Sequence, residues 1–434
     1  MANDGLAFER RSQGAVIPAW LAEAAFVAFL LLVFVGLKPF AVRSDSAFGL
    51  STTTTGGGDL MRQVCYLAVF AMLVAASAQK RGLMVFTVVP VSLLLLLLWC
   101  FVTAAWAPVP GVVIRRAGLE FVIVCSAMLG VDALGPRRSL ELLRYVLIGV
   151  LIVNWISIPL IPQARHLPGE TDPSLVGDWR GLYFQKNIAG SVSVVTVMIL
   201  LFFAKERKSW LDLLLAAAAL GFLVMTRSKT SLGFLPLVLV LGLVYRWAWK
   251  RDLDRLIVTI CAGIILVAVA AFVATHAAQL SRLLENPAEF TGRSEIWQAE
   301  LRYIAAHPLL GAGYGTFADT GGASPLANYV MSKWVENAPH GHNGYLQLLV
   351  TTGAIGFALA MLAVVILPFL MLYRRDMENL PLKSLLFAIF SFVVLHNLLE
   401  SDYLESDGVM WTTLLLTIAM LRGLRPQAVV EGRV

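Results

Sequence analysis

Charge is scarce in this chain. Of its 434 residues, 14% are Asp, Glu, Lys or Arg against 58% that are hydrophobic, and so little polar surface cannot clothe a water-soluble core of this length. Cysteine is scarce as well. Cys65, Cys100, Cys125 and Cys261 fall in or beside apolar runs with neither paired nor metal-ligand spacing, which excludes a disulfide framework and a cysteine metal centre. The glycine-rich GAGYGTF at 311–317 has no strand before it, so the strand–turn–helix context of a dinucleotide site is missing and the segment reads as a tight loop. The formal charge of +6 is spread over connectors between apolar runs, a pattern that speaks for membrane topology and against nucleic acid as a partner.

What the chain has in abundance is apolar runs approaching the ~20 residues needed to cross roughly 30 Å of hydrocarbon. About twelve spans are expected, over 19–37, 63–79, 84–104, 118–134, 142–160, 188–204, 211–226, 231–246, 257–275, 347–373, 383–399 and 404–421. The expected fold is therefore an all-α integral membrane protein in three parts: helices one to nine in 1–275, a large loop region with short helices over 276–346, and helices ten to twelve with a tail in 347–434. The first run is longer than a signal-peptide core and lacks a small-x-small cleavage site, so it is read as a retained span. Lys and Arg resist translocation, and their concentration near Arg10, Lys80, Arg137, Lys205, Lys250, Arg374 and Arg422 puts those connectors and both termini on the cytoplasmic side. The connections 38–62, 161–187 and 276–346 are then the substantial outer loops. In the longest, EIWQAELRYIAAHP puts Trp297, Leu301 and Ile304 on one face of a helix stopped near Pro308.

Cations recur at the outer ends of spans, where the topology rule does not favour them. Arg115 and Arg116 precede the fourth span, Arg180 and Lys186 the sixth, Arg227 and Lys229 occupy the short TRSKTS turn, and Arg293 sits in TGRSEIW. A phosphate-bearing ligand would account for such convergence, because guanidinium grips phosphate oxygens through a fork and lysine adds a mobile charge. Lipid-headgroup anchoring is the alternative. Only six histidines occur, and two of them, His340 and His342, stand together in ENAPHGHNGYLQLL with Asn343 beside them. A metal would ask for a further ligand, and Glu336 alone is near, so no metal site is expected. One imidazole is a candidate general base; loop-bonded interfacial histidines are the plainer reading. Glu400, followed by Asp402, Glu405 and Asp407, is placed to orient a histidine, pair with an arginine or bind sugar hydroxyls, as is Asn343. His396, one helical turn before Glu400, reads as structural.

Five stretches, WRGLYFQKNIAG at 179–190, TRSKTS at 226–231, TGRSEIW at 291–297, HPLLGAGYGTF at 307–317 and HGHNGYLQLLVTTGAIG at 340–356, resemble the O-antigen ligase and polysaccharide polymerase superfamily, most closely the ligases, over residues 110 to 410. The resemblance implies a GT-C-like glycosyltransferase of the bacterial inner membrane with a periplasmic site and no cofactor or metal. It implies an undecaprenyl-pyrophosphate-linked polysaccharide as donor and a lipid A–core oligosaccharide as acceptor. By motif it carries pyrophosphate stabilisation onto Arg227 and Arg293, donor binding onto Arg180 and Lys186 with Lys229, Arg115 and Arg116 beside them, and the base onto His342, with His340 as second choice. Where the family has a histidine-like polar residue before the lysine, this chain has Gln185. Two other functions fit the same features: a polymerase joining lipid-linked repeats, and a lipid-glycan transporter that recognises phosphate without making a bond.

Overall fold

The computed structural model describes residues 18–41, 60–170, 173–276, 293–318, 320, 323–330, 341–374 and 376–424; His340 and Glu336 lie outside them. Its helices are α1 (Ala19–Phe34), α2 (Leu60–Arg81), α3 (Val91–Val102), α4 (Pro110–Leu134), α5 (Pro136–Leu160), α6 (Lys186–Arg207), α7 (Trp210–Thr226), α8 (Lys229–Ala248), α9 (Asp252–Thr275), α10 (Arg293–Ala306), α11 (Gly344–Ala360), α12 (Leu367–Tyr373), α13 (Leu380–His396) and α14 (Val409–Gly423). Among the described residues the only extended pairing is an isolated bridge between Arg165 and Trp179. The chain is an all-α, multi-pass membrane protein.

The expected count of about twelve spans is corrected to six. Among the described residues, α2, α4, α5, α6, α8 and the continuous stretch Gly344–Tyr373 are long and apolar enough to cross a membrane. Five other apolar runs form helices of only 10–17 residues: α1, Val91–Ala105, α7, α13 and α14. At 1.5 Å per residue, even the longest of these reaches about 26 Å, short of the hydrocarbon thickness. Hydropathy records where a run is apolar and not where its helix stops. Pro90, lacking a backbone N–H, separates a 3₁₀ segment (Gly82–Val88) from α3 inside the 84–104 run. The 404–421 run becomes helical only at Val409.

The core lies around α4, α6 and α14. Ile123, Val124 and Cys125, then Val194, Val195 and Ile199, then Leu414 and Leu415, are all fully buried. Helices apolar on every side belong at the centre of a bundle. α8 instead turns Leu237, Val240 and Leu243 outward, which carries no penalty where the solvent is lipid.

Two features position the site. α11 is interrupted at Gly353, where φ is +66°, a conformation that side-chain-bearing residues adopt only with strain. The 307–317 segment fills the interruption: Ala354 N donates to Pro308 O (2.9 Å), Ala312 N to Val350 O (2.8 Å) and Gly313 N to Thr351 O (2.9 Å). The expected amphipathic helix forms as α10, but its buried face is Ile296, Trp297, Ala299, Glu300 and Tyr303. Trp297 lies on that face and Ile304 is half-buried, whereas Leu301 is 46% exposed, so the expected apolar stripe is rotated.

Candidate functional site

The site is built around two buried carboxylates. The first, Glu400, follows the end of α13, where Asn397 turns the chain: its Oδ1 accepts from Asp402 N (2.9 Å) and Tyr403 N (3.0 Å). Glu400 is thereby folded back onto the start of α11. There Asn343 caps the helix, its Oδ1 accepting from Tyr345 N and Leu346 N (both 3.1 Å). Gly344 N donates to Asn397 O (2.8 Å) and Glu400 O (2.9 Å), an approach so close that a Cβ at 344 would overlap the Asn397 amide. His342, at φ +52°, completes the turn in a left-handed conformation that costs on the order of 1–3 kcal/mol for such a residue.

Glu400 then receives three donors. His342 Nδ1 lies 3.0 Å from Oε2, while Oε1 accepts from Arg293 Nη2 (3.0 Å) and Asn187 Nδ2 (2.8 Å). Arg293 also donates to the Leu399 carbonyl. Burial would raise the Glu400 carboxyl, but the hydrogen bond from His342 and the charge of Arg293 work against it, and the group is held down at about 2.

The second carboxylate, Asp178, is 2% exposed and meets Lys186 Nζ at 2.6 Å and Arg227 Nη1 at 3.3 Å. Arg227 occupies the left-handed position that ends α7, and its side chain is 73% exposed. The loop carrying Asp178 is braced from within by Arg180. That guanidinium is wholly buried, donates to Gln163 O (2.8 Å) and Phe184 O (3.1 Å), and pairs with Glu170 (3.0 Å). Glu170 in turn meets His166 Nδ1 (2.6 Å), and His166 Nε2 accepts from Lys186 N (3.3 Å). Burial lowers the His166 imidazole against the opposing pull of Glu170, which suits a neutral ring accepting that backbone hydrogen bond.

The two centres are joined by the first residues of α6. Gln185 caps this helix (Asn187 N to Oε1, 3.2 Å); Lys186 belongs to the Asp178 centre and Asn187 to the Glu400 centre. Ser228 Oγ donates to Asn187 Oδ1 (3.2 Å), tying in the TRSKTS turn. His342, Arg293, Glu400, Lys186 and Arg227 are thus brought into one connected network, with Asn343 holding its frame. Lys229, the first residue of α8, is exposed nearby. Arg115 and Arg116 stand apart in α4, both half-buried, and Arg116 donates to the Gly315 carbonyl. His340 lies outside the described residues.

Three members escaped sequence reasoning: Asp178, Asn187 and Ser228. Asn187 and Ser228 adjoin cations that the motifs single out, and for Asp178 the signal was there: a largely buried lysine requires a counter-charge. Glu300 escaped it too. Wholly buried in α10 and without a partner among the described residues, it lies against Gly341, and burial pushes its carboxyl well above the usual range.

The chemistry open to this arrangement is specific. A carboxylate on Nδ1 fixes the imidazole with Nε2 as its basic nitrogen. Lysine and arginine on the neighbouring centre can take a doubly charged leaving group.

Comparison with known proteins agrees with this architecture. Residues 213–361 match the family model described as O-Antigen ligase. That segment runs from α7 into the end of α11 and includes Arg227, Arg293 and His342, while Asp178, Lys186 and Glu400 fall outside it. The chain is also 24% identical over 327 residues to the exopolysaccharide production protein ExoQ of Rhizobium meliloti (strain 1021), covering 71% of this chain and 73% of that protein. The chain therefore carries an O-antigen ligase family domain, consistent with membership of that superfamily.

Proposed function

We propose that this chain, with its O-antigen ligase family domain, is an inverting, metal-independent glycosyltransferase that moves O-antigen polysaccharide from undecaprenyl pyrophosphate to a lipid A–core sugar. Its site faces the periplasm of the bacterial inner membrane. The observation that carries the reading is the His342–Glu400 contact at 3.0 Å, with Arg293 on the other oxygen of the same carboxylate. His342 Nε2 takes the proton of the acceptor hydroxyl as that oxygen attacks the donor's anomeric carbon. The bond from that carbon to the diphosphate oxygen breaks, and its electron pair leaves with undecaprenyl pyrophosphate. Arg227 and Arg293, with Lys186 and Lys229 beside them, stabilise the departing charge. Arg180 acts from beneath, holding the loop that presents Asp178 and Lys186. One displacement inverts the anomeric carbon, and fixed cations supply the charge compensation that a divalent ion supplies elsewhere.

A second reading has its own support. The similarity to ExoQ extends over most of this chain, and that protein is named for exopolysaccharide production, which favours a polymerase joining lipid-linked repeats. Both readings share donor chemistry and differ in acceptor. Purified protein reconstituted with lipid-linked glycan and lipid A–core decides between them: glycan on the core supports ligation, and chain extension alone supports polymerisation. Donor flux without any covalent product refutes both, as does retained anomeric configuration the inverting step.

A further inference from the structure

The end of the bundle that carries Glu400 holds a second group of cations that the proposed reaction leaves unused. Arg62 stands in the first turn of α2, and Arg115 and Arg116 in the second turn of α4. Facing them is the segment between Glu400 and α14: Arg62 Nη2 meets Asp407 Oδ1 at 2.8 Å. Arg115 has no hydrogen bond or ion pair among the described residues, yet it is half-buried and bears the like charges of both Arg116 and Arg62. Uncompensated guanidinium beside two others is unfavourable unless an anion completes the set. A second observation points the same way. Tyr66, one turn after Arg62, is 2% exposed, and its buried hydroxyl has no partner among the described residues while lying in the field of Asp407 and Arg62. A buried orphan hydroxyl beside a cation cluster is a ready donor for a ligand oxygen.

The floor of this patch is hydrogen-bonded without using Arg62 or Arg115; Arg116 alone reaches into it, at the Gly315 carbonyl. Tyr314, from the 307–317 segment, donates to Leu404 O (2.7 Å) with its hydroxyl 3.2 Å from Glu120, and Glu120 accepts from Trp411 Nε1 (2.6 Å). In charge the patch parallels the donor centre: Arg62, Arg115 and Arg116 against Asp407 and Glu405, as Lys186, Arg227 and Arg293 stand against Asp178 and Glu400. Glu400 and Asp407 stand seven positions apart along the chain, so their Cα atoms lie within about 25 Å of each other, a span that a few sugar units bridge.

We infer that Arg62, Arg115 and Arg116, with the Tyr66 hydroxyl, form a second anion site that holds a phosphate of the acceptor lipid. Lys186, Arg227 and Arg293 are left to the donor diphosphate. The inference rests on the transferase reading and extends it to the acceptor: either a phosphorylated lipid A–core or a second lipid diphosphate has the required chemistry.

Binding and kinetics test it separately. Full-length protein in nanodiscs, titrated with farnesyl diphosphate and with farnesyl phosphate, is expected to bind two equivalents. Arg115→Gln removes one and Arg227→Gln the other; Arg115→Lys restores the first, and since Arg115 makes no hydrogen bond or ion pair among the described residues, an unchanged thermal midpoint is expected for the variant. In turnover, Arg115→Gln is expected to raise acceptor KM about tenfold, equal to about 1.4 kcal/mol, with donor KM unchanged. Whichever acceptor's KM rises, lipid A–core or lipid-linked repeat, names the source of the phosphate. A single equivalent in the parent protein, or an Arg115→Gln variant with unaltered binding and acceptor KM, overturns the inference and leaves the donor assignment standing. Loss of binding by Arg115→Gln with none by Arg227→Gln does the reverse, sinking the donor assignment while the second site survives.

Discussion

Glu400→Gln isolates the role of one negative charge at nearly constant shape. The carboxylate accepts from three donors, Arg293, Asn187 and His342, within 2.8–3.0 Å. An amide offers one acceptor oxygen. If that oxygen stays with Arg293 and Asn187, the new NH₂ faces His342 Nδ1 and forces the ring into the tautomer whose Nδ1 accepts and whose Nε2 carries hydrogen. The imidazole then cannot take a proton from the acceptor hydroxyl. General-base catalysis contributes about 10²–10⁴ in rate, and a base locked in the wrong tautomer forfeits nearly all of it. The expected outcome is therefore a fall in kcat of that order with donor KM within about threefold of the parent. The assay is turnover of lipid-linked glycan in proteoliposomes, following product by gel mobility at saturating acceptor. Because Glu400 is held at about 2, it stays ionised throughout the working range, and any acid loss of activity near neutrality belongs to another group. A Glu400→Gln variant with parental kcat, or one impaired only through donor KM, refutes the assignment of His342 as a base oriented by this carboxylate.

Stability should follow the same charge. A fall of the Glu400 carboxyl from 4.5 to about 2 corresponds to about 3 kcal/mol of folded-state preference, present above pH ~4.5 and lost as pH drops through ~2; denaturant titration of parent and Glu400→Gln at neutral and strongly acid pH measures it as a gap that closes in acid. Gly344→Ala drives a Cβ into the Asn397 amide that turns the chain after α13, and overpacking of this kind costs about 1–3 kcal/mol, read as a lowered thermal midpoint together with lost activity. Arg227→Lys gives up the planar fork at an exposed pair, so donor KM is expected to rise about tenfold with the thermal midpoint unchanged; an altered midpoint would mean that the Asp178 pair braces the fold.

Much of the site was legible because its cations had to be explained. Arg227, Arg293 and Lys186 stood out as charges at the ends of apolar runs, and His342 as a rare residue beside a glycine-flanked asparagine. Their counter-groups were harder to see. Asp178 is an ordinary polar residue in sequence and becomes significant only when the largely buried Lys186 is found to need it, as Asn187 does only when its amide is found donating to Glu400. The fold was legible as helical and membrane-embedded, but not in its number of spans. A hydropathy run continues through Pro90 and through the polar turn before Val409, whereas hydrogen-bonded helix does not. Leu301 illustrates the same limit at smaller scale: three apolar residues at helical spacing defined a face, but the stripe that packs is the one against α11 and its preceding loop, centred on Trp297, whose Nε1 donates to Gly341 O (2.7 Å).

The interruption at Gly353 separates the nine residues that carry the histidine turn from the twenty that continue to Tyr373. Twenty helical residues measure about 30 Å, a full hydrocarbon thickness, so the lower piece alone suffices to cross. The upper piece hangs from the 307–317 segment and from Trp99, whose indole donates to Thr352 O (2.9 Å). The lower piece is held there too, Ala354 N and Ile355 N donating to Pro308 O (2.9 Å) and Leu309 O (3.4 Å), so one segment clamps both sides of the break and fixes the angle at which the histidine turn leaves the spanning rod.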